Sequence, residues 1–223
     1  MENKKKLDLT KKINIKNETQ IKCVVVMYMY YYCALYLFDL SEKIPRLWPT
    51  RWFTCGLYIL ITIPVVLVHK KWGACKMEKP DFKAYRQYIY GLLTLIPYYG
   101  VKLLVVGPAT ELGWYFMEMH IWELLWFFFY YVGVVAVTEE YVFRIFFQGE
   151  LTNILGRAGW LAPFISAVLF ALMHIPQGYK ESVYIAFGAG LILGYARYFI
   201  KDYTFISLVM AHGLYDFLLV ILL

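Results

Sequence analysis

Seven stretches of this chain are apolar almost throughout, and the polar residues collect between them. They are Cys23–Leu40, Trp52–Val68, Gly91–Gly107, Ile121–Thr138, Trp160–Ile175, Ser182–Ile200 and Ile206–Leu222. Each approaches the ~20 residues that a helix needs to cross a ~30 Å hydrocarbon layer. The pattern predicts an all-α fold, a polytopic transmembrane helical bundle of about seven spans, with six to eight as the range because several runs are short. The fourth run leads directly into two adjacent glutamates, Glu139 and Glu140.

Composition agrees with this reading. Of 223 residues, 61% are hydrophobic and 20% aromatic, and the mean hydropathy is +0.54. A soluble domain carries about 45–50% apolar residues, so the excess is too large for a core alone. The partner that composition implies is the lipid bilayer, and the expected location is integral and multi-pass, in the plasma membrane if the source is bacterial.

The net charge of +6 comes from basic residues that flank the apolar runs, not from a separate basic domain, so it is no sign of nucleic-acid binding. Lys4, Lys5, Lys6, Lys11, Lys12, Lys16 and Lys22 precede the first run. No small-residue cleavage site follows that run, which reads as an uncleaved anchor. The positive-inside rule then places the N-terminus in the cytoplasm. Residues 1–22 read as a basic cytoplasmic tail and 23–223 as a single membrane domain. The lysine-rich loop His69–Tyr90 falls on the same side as the tail, and Pro108–His120, with Glu111 and Glu118 but no Lys or Arg, on the other. The loop around Lys43, Arg46 and Arg51 runs against this pattern.

Four features carry no chemistry in this reading. Cys23, Cys33, Cys55 and Cys75 form no metal-ligand spacing and no disulfide framework. "MYMYYY" at 27–32 reads as an aromatic belt. Gly190 and Gly194 read as a close helix–helix contact. The segment "CKMEKPDFKAYRQYIY" is either an interfacial helix or a solvated loop.

The informative residues are polar ones at bilayer depth, where they need partners, water or a task. Glu140 and Arg144 are four apart, so one helix face can pair them. Glu139 points elsewhere and, if buried, is a candidate base. Phe170 and His174 are one turn apart, as are His212 and Asp216. An imidazole and a carboxylate at that spacing can hold one metal ion or one substrate oxygen. Glu139 precedes the turn near Gly156 by 17 residues and His174 follows it by 18, so antiparallel helices would place both ~25 Å from that turn. His212 comes out ~15 Å from its own turn, so bringing it to the same place requires an offset between helices.

"EEYVFR", "FALMH" and "HGLYD", in this order and in separate runs, resemble the motifs EExxxR, FxxxH and HxxxN/D. These mark the CAAX prenyl endopeptidase and bacteriocin-processing (Abi, or CPBP) family of intramembrane proteases. The likeness covers about residues 120–223. It implies a helical fold enclosing a polar cavity, and an endopeptidase that hydrolyses membrane-anchored or lipidated peptides with activated water. Carried over, Glu139 is the general base, assisted by His174, with Glu140 and Arg144 as the supporting ion pair and Phe170 beside them. His212 and Asp216 bind the developing oxyanion or a metal. One divalent ion, zinc first, held by Glu139, His174, His212 and Asp216, is one expectation, and a metal-free glutamate mechanism is the other. Asp216 stands where the family often has Asn, which favours the metal. The remaining alternatives are a catalytically silent immunity or scaffold protein of the same fold and a proton-coupled transporter.

Overall fold

A computed structural model describes residues 18–37, 51–75, 81–107, 119–177 and 179–222. The basic tail up to residue 17 and most of the residues used above to orient the chain, in the loops 38–50 and 108–118, lie outside these. The described residues are helical, without strands. Helix α1 covers 18–37, followed by α2 (Arg51–Trp72) and α3 (Tyr85–Val105). A long helical stretch then runs through α4 (Ile121–Phe128), α5 (Ala136–Glu140) and α6 (Gln148–Leu155), with π-helical segments Phe129–Val135 and Tyr141–Phe147 between them. It turns at Gly156 into α7 (Ala162–Leu172), and α8 (Lys180–Phe199) and α9 (Phe205–Leu222) complete the bundle.

Among the described residues, all seven apolar runs are mostly helical. Three stretches are long and apolar enough to cross a membrane, Thr54–Trp72, Tyr85–Val105 and Ile121–Leu172, and Phe205–Val220 is apolar but shorter. Among the described residues, then, three stretches qualify by length and composition, and the third takes in two of the about seven expected spans. The longest of them is two antiparallel legs. Gly156 has φ +53°, a positive-φ conformation that glycine adopts without strain, and it ends α6. Pro163 then opens α7, where its missing N–H goes unneeded. α7 returns against the second π segment, and Ser166 Oγ donates to the Phe143 carbonyl at 2.8 Å.

Beyond this turn, α8 lies on α7, and α3 packs on both α8 and α9. The α7–α8 contact uses the glycines picked out by spacing. A Cβ on Gly190 would stand 2.9 Å from the Ala167 backbone, and one on Gly194 would stand 3.2 Å from Pro163. The expected close helix–helix packing is therefore present.

The tyrosines of "MYMYYY" are not only a belt. Tyr31 is fully buried, edge-on to Phe143, and Tyr28 donates to the Leu169 carbonyl. A ring with its hydroxyl in the core satisfies the same composition as a ring at an interface, and α1 turns this face toward the site-bearing helices. At the other end of α2 the helix runs on to Trp72, so part of the His69–Tyr90 loop is helical. Buried His69 there meets the Tyr141 hydroxyl through Nδ1 at 2.8 Å and the Cys75 carbonyl through Nε2 at 3.0 Å.

Candidate active site

The two π segments bracket the glutamates, leaving α5 as a single α-turn that carries Thr138, Glu139 and Glu140. π turns are rare and concentrate at functional sites. Thr138 Oγ1 donates to the carbonyls of Val134 and Val135 at 2.8 and 3.0 Å, where the first π segment passes into α5.

Glu140 is fully buried, and its Oε1 lies 3.2 Å from Arg144 Nη1, whose side chain is 1% exposed. The contact is an ion pair by distance; Arg144 Nη1 and Nη2 make no hydrogen bond among the described residues. The guanidinium carbon instead lies over the Phe170 ring, 4.4 Å from its centre, a cation–π contact strengthened by the absence of competing water. Phe170 in turn meets His174 and His212 edge-on at 4.7 and 5.9 Å. One ring thus spaces the arginine and both imidazoles.

His212 joins the parts. Its Nδ1 donates to Glu140 Oε1 at 2.7 Å, while Nε2 stands 3.3 Å from Asp216 Oδ2 and 3.8 Å from Glu139 Oε2. Gly213 makes this approach possible, since a Cβ there would be 2.6 Å from the Val132 backbone. α9 therefore crosses the first π segment backbone to backbone. His174, just past the end of α7, meets the Phe170 carbonyl through Nδ1 at 2.9 Å. A carbonyl only accepts, so the proton is on Nδ1, and in the neutral ring Nε2 keeps its lone pair.

Glu139, Phe170, His174, His212 and Asp216 all line one cavity of about 290 Å³. Glu140 and Arg144 lie behind it. The sequence motifs are thus brought together, and the helix offset required for His212 is present. Sequence reasoning missed the tyrosines of the same cavity, Tyr58, Tyr98, Tyr130, Tyr131 and Tyr215. Only Tyr215 left a signal, three residues after His212 on the same helix. It also missed Glu150, which is buried and accepts from the backbone N–H groups of Ala74 and Cys75 at 2.8 and 2.9 Å, strapping the end of α2 to α6.

The donor set does not match the expected divalent ion. Among the described residues no three His, Cys, Asp or Glu side chains converge at ligand spacing. His212 Nδ1 is committed to Glu140, and Nε2 faces two carboxyl groups, the geometry of an imidazole donating to acids. Among the described residues, the side chains as arranged do not form a metal-binding set.

These features define a helical membrane protein with a buried cluster of acids and imidazoles opening on a cavity. Residues 121–218, which hold all three motifs, match the family described as Type II CAAX prenyl endopeptidase Rce1-like. The match supports the CPBP family, a family of proteases, for this segment, and together with the apolar helices it points to an integral membrane protein. No curated protein and no solved structure matches the chain.

Proposed function

We propose that the protein is an intramembrane endopeptidase that hydrolyses membrane-anchored or lipidated peptides with water activated by Glu139. The observation that carries this is the meeting of Glu139, His212 and Asp216, from two distant motifs, within 3.3–3.8 Å at the wall of one cavity. A carboxylate at a cavity with room for water and a peptide carbonyl has the geometry of a general base. Glu139 takes a proton from water as the water oxygen bonds to the carbonyl carbon. His174 Nε2 accepts from the same water and aims it. His212 Nε2–H donates to the carbonyl oxygen as negative charge develops there. Glu139 then returns the proton to the leaving nitrogen, and the peptide bond breaks.

Glu140 and Arg144 act through His212. Ionised Glu140, paired with Arg144, holds Nδ1–H and so directs Nε2 into the cavity. Asp216 orients the same ring from the other side. The protein lies across the bilayer with several spans, in the plasma membrane if the source is bacterial, with its N-terminus on the cytoplasmic side.

The test is incubation of purified protein with a library of membrane-anchored peptides, with Glu139→Gln as control and metal content measured in parallel. Cleavage that depends on Glu139 and survives chelation supports the reading. No cleavage by folded wild type would favour a silent immunity or scaffold protein. Cleavage lost on chelation and restored by zinc would return a metal to the site.

A further inference from the structure

We infer that the tyrosine-rich side of this cavity is a subsite for a cationic side chain, lysine or arginine, beside the bond to be cut. This rests on the proteolytic reading above.

The cavity wall is unusual for an apolar bundle. Tyr58 from α2, Tyr98 from α3, Tyr130 and Tyr131 from the first π segment, and Tyr215 from α9 all line it, with no lysine or arginine among the lining residues. Their rings are held by one another. Tyr98 and Tyr215 stack at 3.8 Å with planes 9° apart, and Tyr130 meets Tyr131 and Tyr58 edge-on at 5.0 and 6.4 Å. The charged groups on the wall, His aside, are both acidic. Asp216, at 23% side-chain exposure, is open to the cavity, against 11% for Glu139. Tyr215 is only 3% exposed, and its hydroxyl has no hydrogen-bond partner among the described residues.

His212 meets Asp216 from one side only, and an apolar side chain would leave the open part of this carboxyl group unmatched at bilayer depth, where such groups are costly. An ammonium or guanidinium carries donors and no acceptor, which complements oxygen atoms alone. Tyrosine faces attract a cation, most strongly where water is excluded. Membrane-anchored segments are themselves flanked by lysine and arginine, so such a side chain is close to hand in the substrate class.

The test uses membrane-anchored peptides that differ only at the positions flanking the cleaved bond, bearing lysine, arginine, norleucine or glutamate. Wild type should show kcat/KM at least about tenfold higher for lysine or arginine than for norleucine at one flank. Tyr131→Leu should lower that ratio roughly three- to thirtyfold, the range of a lost cation–π contact, while Tyr131→Phe should keep it. Tyr58→Leu repeats the test on a second helix if Tyr131→Leu does not fold. Equal or better cleavage of norleucine at both flanks overturns the inference, as does a ratio unchanged in both leucine variants. Binding of the same peptides to Glu139→Gln protein separates the two readings. Tighter binding of the lysine peptide without cleavage by wild type would sink the protease but leave the subsite standing. Cleavage with no charge preference in binding or rate would do the reverse.

Discussion

Glu140 and His212 stand 72 positions apart in the chain and 2.7 Å apart in space. The same glutamate oxygen faces Arg144 at 3.2 Å, so one carboxylate ties the first motif to the third. A pair that looks local on a single helix is in this way part of the tertiary framework that aims an imidazole.

That bridge predicts a coupled response to mutation. Arg144→Ala strands Glu140 as a buried charge, at a cost of ~3–5 kcal/mol. Glu140→Gln in the same protein should recover part of the loss of folded protein in detergent, though not activity, because His212 keeps a weaker acceptor. Thermal melts of the two single variants and the double variant measure the coupling. Purely additive losses would mean that the two side chains do not interact.

Glu139→Gln tests the base. The amide keeps the shape of the carboxyl group but takes no proton from water. Cleavage should fall by at least the ~10²–10⁴ typical of general-base loss, with the melting temperature near that of wild type. Activity within a few-fold of wild type would remove Glu139 from the chemistry.

Asp216→Asn distinguishes the two roles open to the third motif. An asparagine oxygen still accepts from His212 Nε2–H, so with Asp216 as an orienting group cleavage should stay within about tenfold, the factor that ~1.4 kcal/mol represents. Chelators should then have little effect on wild type. If zinc restores activity to a chelated enzyme or to the weakened variant, Asp216 is a metal ligand instead.

Gly213→Ala is the steric test. Its new methyl meets the Val132 backbone at 2.6 Å, and backbone cannot move aside as a side chain can. Forcing α9 away should cost ~1–3 kcal/mol as other overpacked sites do. It should also lower kcat more than a surface alanine of equal cost in stability, because His212 moves with the helix. Wild-type rates from this variant would show that the crossing tolerates more than the contact distance allows.

Much of this site can be read in the chain, because charge at bilayer depth is costly enough to be conspicuous. Glu139, Glu140, Arg144, His174, His212 and Asp216 stand out against apolar neighbours, and i, i+4 spacing pairs them correctly within each helix. What spacing does not carry is the link between helices. The Glu140–His212 bond depends on how close α9 comes to the first π segment. Gly213, the residue that permits this, is one glycine among 15 in the chain. The tyrosines were hidden for a different reason. Tyrosine is common in this chain and serves equally at an interface, in a core or around a cavity, and only the packing of α2, α3 and α9 assigns Tyr58, Tyr98 and Tyr215 to the last. His69 and Glu150 fall outside the three motifs, and only the fold gives each its own partners.

The π-helical stretches on either side of Glu139 and Glu140 decide where the site tolerates a change in residue count. A π turn takes up an additional residue by widening, so the helices on either side keep nearly the phase that an α-helix one residue shorter would give them. A single deletion within Phe129–Val135 that lets the backbone relax to α-helix would therefore leave Glu139 and Glu140 close to their present heading relative to α4. A deletion in α4, which has no such slack, would instead turn the residues before it by about 100° relative to the glutamates. Relatives of this chain should therefore differ in length by one residue more readily inside the two π segments than in the α-helical turns beside them.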